Sequence, residues 1–125
     1  MNNSPCKILI VDDDEDVRVM IKDILELEGF TTYTASNGKE GLQKFEEFLP
    51  ELVITDIRMP VMDGVEFVKN VQKIKKDAKV IFISGWESSE SKVKRNLVLY
   101  SHYKYLKKPF DVDDILLIVQ NYLNE

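Results

Sequence analysis

Two hydrophobic periods alternate five times along this chain, and few folds accommodate that pattern. Lys7 to Val11 carries the continuous apolar run Ile8-Leu9-Ile10-Val11, the pattern of a strand buried on both faces. After Asp12-Asp13-Asp14, the residues Val17, Met20, Ile21, Ile24 and Leu25 fall on one helical face. Asp14 suits the cap of that helix, Glu15 and Asp16 suit its positive end, and Gly29 stops it. Thr31 to Ala35 reads as a second strand, and Ser36-Asn37-Gly38 turns into a second helix bearing Leu42, Phe45, Phe48 and Leu49. Pro50 ends that helix.

The pattern then repeats. Leu52 to Thr55 is a strand ending on Asp56, followed by a loop with Pro60 and the Asp63-Gly64 turn signal. A third helix carries Val65, Phe67, Val68, Val71 and Ile74. Val80 to Ile83 is a fourth strand ending on Ser84-Gly85, and Ser88 to Leu99 reads as a fourth helix with a thin apolar face. Tyr103 to Leu106 is a fifth strand before Lys107-Lys108-Pro109. Asp111 to Leu123 is a fifth helix, with Val112, Ile115, Leu116, Val119 and Leu123 turned inward. Strands that alternate with helices imply a parallel sheet, helices on both faces and right-handed crossovers.

A length of 125 residues fits one domain, and no repeat, linker or low-complexity segment divides it. Residues 1–125 are therefore expected to form a single domain. A net charge of -5 without a Lys/Arg stripe argues against nucleic acid as a partner, because phosphate neutralisation supplies most non-specific affinity. No apolar run is long enough to span a bilayer, and the first residues lack a signal segment. The single cysteine, Cys6, cannot form an internal disulfide and reads as a small buried thiol. A cytoplasmic protein that does not engage membranes is the expectation.

The chemistry lies at the strand ends: Asp12 and Asp13, Asp56, Ser84 and Lys108. In a parallel sheet these ends share one edge, where α/β proteins bind ligands. Converging carboxylates repel one another, and a hard divalent cation such as Mg²⁺ relieves that repulsion through oxygen ligands. An aspartate can accept a phosphoryl group, a lysine can offset its charge, and a serine hydroxyl can donate to its oxygens. Taken singly, each residue has a plainer role: a turn aspartate, a strand-end serine, a solvated lysine. Their joint placement at four strand ends carries the argument.

With these motifs in view, the chain resembles the receiver domains of two-component response regulators over nearly its full length. The resemblance rests on four features: the apolar strand before Asp12-Asp13, the run from Asp56-Ile57-Arg58-Met59-Pro60 to Asp63-Gly64, Ser84, and Lys108-Pro109-Phe110. It implies a flavodoxin-like α/β fold with strand order 2-1-3-4-5 and five helices. It implies that Asp56 accepts phosphate from a sensor histidine kinase or a histidine phosphotransfer protein. It further implies Mg²⁺ held by Asp13, Asp56 and the Arg58 backbone carbonyl, with Asp12 acting largely through water. Lys108 would pair with the phosphate across a cis Lys108-Pro109 bond. Ser84 and Tyr105 would form the switch, changing the face of the fourth helix, fifth strand and fifth helix for a downstream effector. That same face is one through which receivers can form a homodimer. The family catalyses only its own phosphorylation and dephosphorylation, and so is not expected to act as an enzyme on external substrates.

Some positions depart from the family pattern. Gly85 replaces the common alanine, Trp86 stands beside the pocket, and Ser101-His102 replaces a small pair before the fifth strand. Trp86 and Arg58 are expected to flank Asp56 and set the dephosphorylation rate. His102, the only histidine, reads as a surface residue. Two alternatives stand beside the phosphoacceptor: a phosphate-independent interaction module, and a Mg²⁺-dependent phosphohydrolase. The hydrolase should carry an acid two residues after its nucleophile, where this chain has Arg58. With nothing after the last helix, no output domain is expected.

Overall fold

The computed structural model describes residues 6–85 and 103–125. Five strands, β1 (Lys7–Val11), β2 (Thr31–Ala35), β3 (Leu52–Asp56), β4 (Lys79–Ser84) and β5 (Tyr103–Lys107), alternate with helices. The described helices are α1 (Glu15–Leu27), α2 (Gly38–Phe48), α3 (Gly64–Ile74) and α4 (Val112–Leu123). The sheet has order β2-β1-β3-β4-β5, and every neighbouring pair is parallel. This is the expected flavodoxin-like arrangement. Four helices lie among the described residues; the predicted helix at Ser88 to Leu99 lies outside them, as do Trp86, Tyr100, Ser101 and His102.

Alternation along the three central strands splits the core into two. Ile8, Ile10, Leu52, Ile54, Ile81 and Ile83 face α1 and α4, where they meet Ile21, Leu25, Ile115 and Val119. Leu9, Val11, Val53, Val80 and Phe82 face the other way, against Phe45, Phe67, Val68 and Val71 of α2 and α3. Strand residues that bury both faces have to be apolar at every position, which explains the unbroken runs. Truncating a fully buried aromatic such as Phe82 to alanine would cost about 3–5 kcal/mol in transfer and cavity energy.

Helix entry follows the sequence signals. Asp14 accepts from the Asp16 and Val17 amides, Asn37 from Glu40, and Asp63 from Glu66. Asp111 and Asp114 form a reciprocal capping box. Helical periodicity overstated the inner faces in several places. Met20, Leu49, Ile74 and Val112 are exposed rather than inward. Leu49 is the left-handed cap of α2, which carries its side chain off the helical stripe. Cys6 is half-buried instead of fully buried, because it lines a cleft with Phe30, Glu51, Lys79 and Leu123. Burial and the Glu51 carboxylate push its thiol pKa up, away from the reactive thiolate.

The end of the sheet where the strands begin is fastened by satisfied polar contacts. The Lys7 amide donates to Glu51 Oε2 at 2.6 Å, and Lys79 Nζ donates to the Tyr122 carbonyl at 2.8 Å. The Val80 amide donates to the Tyr122 hydroxyl at 3.3 Å, and Lys104 pairs with Glu125 at 2.9 Å.

Candidate functional site

At the opposite end, the parallel register delivers several strand ends to one place. Val11 pairs with Thr55, so Asp12 and Asp56 leave adjacent strands side by side. Asp56 pairs with Ile83, which puts Ser84 one residue further along β4. Ser84 pairs with Lys107, and the Lys108 amide donates to the Ser84 carbonyl at 3.0 Å. The next bond, Lys108-Pro109, is cis, as the resemblance implied.

The side chains converge accordingly. Asp12, Asp13 and Asp56 each offer a carboxylate oxygen, and these oxygens lie within 4.8 Å of one another. Asp12 and Asp56 are buried, whereas Asp13 is exposed. Lys108 Nζ donates to Asp56 Oδ2 at 3.1 Å and stands 3.6 Å from Asp12 Oδ2. The second separation is an ion pair too long for a hydrogen bond. Asp56 Oδ1 accepts the Ile57 amide at 2.6 Å, so both oxygens of this carboxylate are engaged.

Electrostatics mark the site as unfinished. Burial, then repulsion from Asp56 and Asp13, outweighs the Asp14 amide and Lys108 and pushes the Asp12 carboxyl up to about 6. Its Oδ2 is buried and has no hydrogen-bond partner among the described residues. Lys108 is held above its ordinary value: burial opposes its charge, but the carboxylates of Asp12 and Asp56 outweigh that burial. A buried carboxylate oxygen without a donor, beside two more carboxylates, is a donor set suited to a hard divalent cation. The residues present therefore fit Mg²⁺.

The loop after Asp56 is tightly held. The Gly64 amide donates to the Ile57 carbonyl at 2.7 Å, and a Cβ on Gly64 would lie 2.0 Å from the Asp56 carbonyl oxygen. The Gly38 amide reaches across from α2 to the Met62 carbonyl at 3.2 Å. Val61 has φ 72, and the Met62 amide donates to the Pro60 carbonyl at 2.8 Å, closing a tight turn around it. Arg58 is exposed at the loop's start, and Ser84 is buried at the end of β4. Tyr105 is half-buried and packs with Tyr103 against the α2 and α3 side of the core.

Sequence reasoning missed Arg18. Its Nη1 donates to the Asp12 carbonyl at 2.7 Å. The signal was available: Arg18 lies in the first turns of α1, where a long side chain leans back toward the helix start.

A doubly wound sheet with an acidic, lysine-bearing pocket at its carboxyl edge defines a class of α/β domains whose ligand site lies where the strand order reverses. Comparison with known proteins narrows it further. The response regulator receiver domain model matches residues 8–120. The chain is 38% identical over 117 residues to the regulatory protein AtoC of Escherichia coli, covering 94% of this chain but only 25% of that one. It is 34% identical to sporulation initiation phosphotransferase F of Bacillus subtilis, covering 94% of this chain and 93% of that one. A solved receiver domain protein from Methanospirillum hungatei superposes with a TM-score of 0.88 at 33% identity, covering 97% and 95% of the two chains. The chain belongs to the response regulator receiver domain family of two-component signalling.

Proposed function

We propose that this chain is a phosphorylation-dependent switch whose acceptor is Asp56, and that residues 1–125 act as one receiver unit. One observation carries the reading most directly: Asp56 is nearly buried, bonded to Lys108, and grouped with Asp12 and Asp13. A relative that bears the name of a phosphotransferase supports a place in phosphoryl transfer. The donor is a phosphohistidine on a sensor kinase or phosphotransfer protein. An Asp56 carboxylate oxygen attacks phosphorus, the P–N bond breaks, and the electron pair returns to the imidazole nitrogen, which takes up a proton.

Asp12, Asp13, Asp56 and the Arg58 carbonyl would hold Mg²⁺. Bound there, the cation offsets charge on the transferring phosphoryl oxygens. The Ile57 amide and Lys108 orient the acceptor carboxylate, and Lys108 then pairs with a phosphoryl oxygen. Ser84 donates its hydroxyl to the product, and Tyr105 follows it inward, re-forming the β5 and α4 surface for an effector or a second copy. Arg58 shields the acyl phosphate from water. No described helix is long and apolar enough to cross a membrane, and we place this switch in the cytoplasm.

Intact-mass measurement after incubation with Mg²⁺ and acetyl phosphate tests the reading. Wild type should gain one phosphoryl group, and Asp56→Asn should gain none. A wild-type protein that neither gains the adduct nor binds Mg²⁺ would instead be a phosphate-independent interaction module.

A further inference from the structure

We infer that Arg18 is a positioning residue for the metal-binding turn, acting through the backbone and not through its charge. This inference rests on the phosphoacceptor reading above. Five consecutive acids run from Asp12 to Asp16, through the turn after β1 and into the first turn of α1. Such a run repels itself, so Asp12 and Asp13 need contacts that hold them toward the pocket. The Asp12 amide donates to the Ala35 carbonyl at 3.1 Å, and two further contacts hold the rest of the residue. The Asp14 amide donates to Asp12 Oδ1 at 2.9 Å, and Arg18 Nη1 donates to the Asp12 carbonyl at 2.7 Å. The first fixes the Asp12 side chain. The second fixes the peptide plane that runs from the Asp12 carbonyl into the Asp13 nitrogen. Arg18 thereby sets the direction from which Asp13, the exposed member of the acidic group, presents its carboxylate.

The bond is a strong one of its kind. Its donor is charged, its length is short, and the arginine is half-buried. The planar guanidinium also loses less freedom per bond than an ammonium would. Arg18 is itself anchored, because its amide donates to the Asp14 carbonyl at 3.0 Å in the first turn of α1. Helix and strand end are thus tied together across the metal ligands.

Two physical roles for Arg18 predict opposite signs. As a bare positive charge near a cation site it would weaken Mg²⁺ binding, and its removal would tighten binding. As a positioning residue it supports binding, and its removal should weaken Mg²⁺ affinity by roughly 10- to 100-fold, the usual cost of losing a partner that orients metal ligands.

Calorimetric titration of the metal-free protein with MgCl₂ reads this directly, without phosphorylation. Arg18→Met keeps much of the side chain's apolar length and removes the donors. It should bind Mg²⁺ at least 10-fold more weakly than wild type. Arg18→Lys keeps charge and one flexible donor, and should fall between the two. Thermal unfolding in EDTA establishes that each variant is folded. If one variant does not fold, the other still decides by its affinity. Equal or tighter Mg²⁺ binding by folded Arg18 variants overturns the positioning role alone. Loss of Mg²⁺ binding in wild type itself overturns the phosphoacceptor reading, and this inference with it.

Discussion

The two ends of the sheet treat polar groups in opposite ways. Where the strands begin, Glu51, Lys79, Tyr122 and Lys104 spend their bonds on holding chain segments together. Where the strands end, Asp12 keeps a buried oxygen without a donor, beside two more carboxylates and one lysine. The first arrangement stabilises the fold. The second costs stability and leaves bonding capacity for something that arrives from outside. Gln72 on α3 also buries an amide without a partner among the described residues.

Substitutions of polar groups at the two ends should therefore differ in sign, and backbone packing around Asp56 should set the largest effect of all. The largest effect is expected at Gly64→Ala. A Cβ there would stand 2.0 Å from the Asp56 carbonyl oxygen, so the loop must move. A loss of about 3 kcal/mol in urea unfolding is expected, the upper part of the usual range for overpacking. A fully stable Gly64→Ala protein would mean that the acceptor loop is not held as tightly as described.

Asp12→Asn should work the other way. Its carboxyl is raised to about 6, so the folded state binds a proton more tightly than the unfolded state does. Stability then falls as pH rises from about 4 to 6, and the full penalty applies above that. In EDTA at pH 7, Asp12→Asn should gain roughly 2 kcal/mol, and below about pH 4 the gain should vanish. A loss at pH 7 would erase the contrast between the ends. Saturating Mg²⁺ should reverse the ranking, stabilising wild type more than the variant.

Tyr122→Phe tests the fastened end. It removes the acceptor of the Val80 amide, and a loss of about 1 kcal/mol is expected with no change in Mg²⁺ affinity. Glu125→Gln weakens a largely exposed pair with Lys104 and should change stability by less than about 0.5 kcal/mol. A larger effect there would show that the fastened end depends on its surface pair as well as on Tyr122.

Much of this contrast was legible in the sequence, at one end more than the other. Continuous apolar runs located the three central strands to within about one residue, because burial on both faces leaves few polar positions to confuse the pattern, whereas the half-buried edge strands β2 and β5 were legible from their β-branched and aromatic residues. Asp12, Asp13, Asp56 and Lys108 were legible because polar residues stand where such runs stop. Periodicity served less well on helix surfaces, where it cannot tell Leu25, fully buried, from Leu49, which caps α2 in a left-handed conformation. It said nothing of Gly38, whose role is a contact to the backbone carbonyl of Met62 in a distant segment. Such contacts leave no spacing rule behind. The fastened end was nearly invisible for the same reason: Lys79 and Tyr122 look like ordinary surface residues until the chain closes.

The ion pair between Lys108 and Asp56 joins residues 52 positions apart. During synthesis on a ribosome the acids emerge first and the lysine 52 residues after Asp56. A chain stopped before β5 thus carries Asp56 but lacks its counter-charge. The pocket's balance of charge is therefore set by the order of the chain: until β5 docks beside β4, its carboxylates face one another without Lys108.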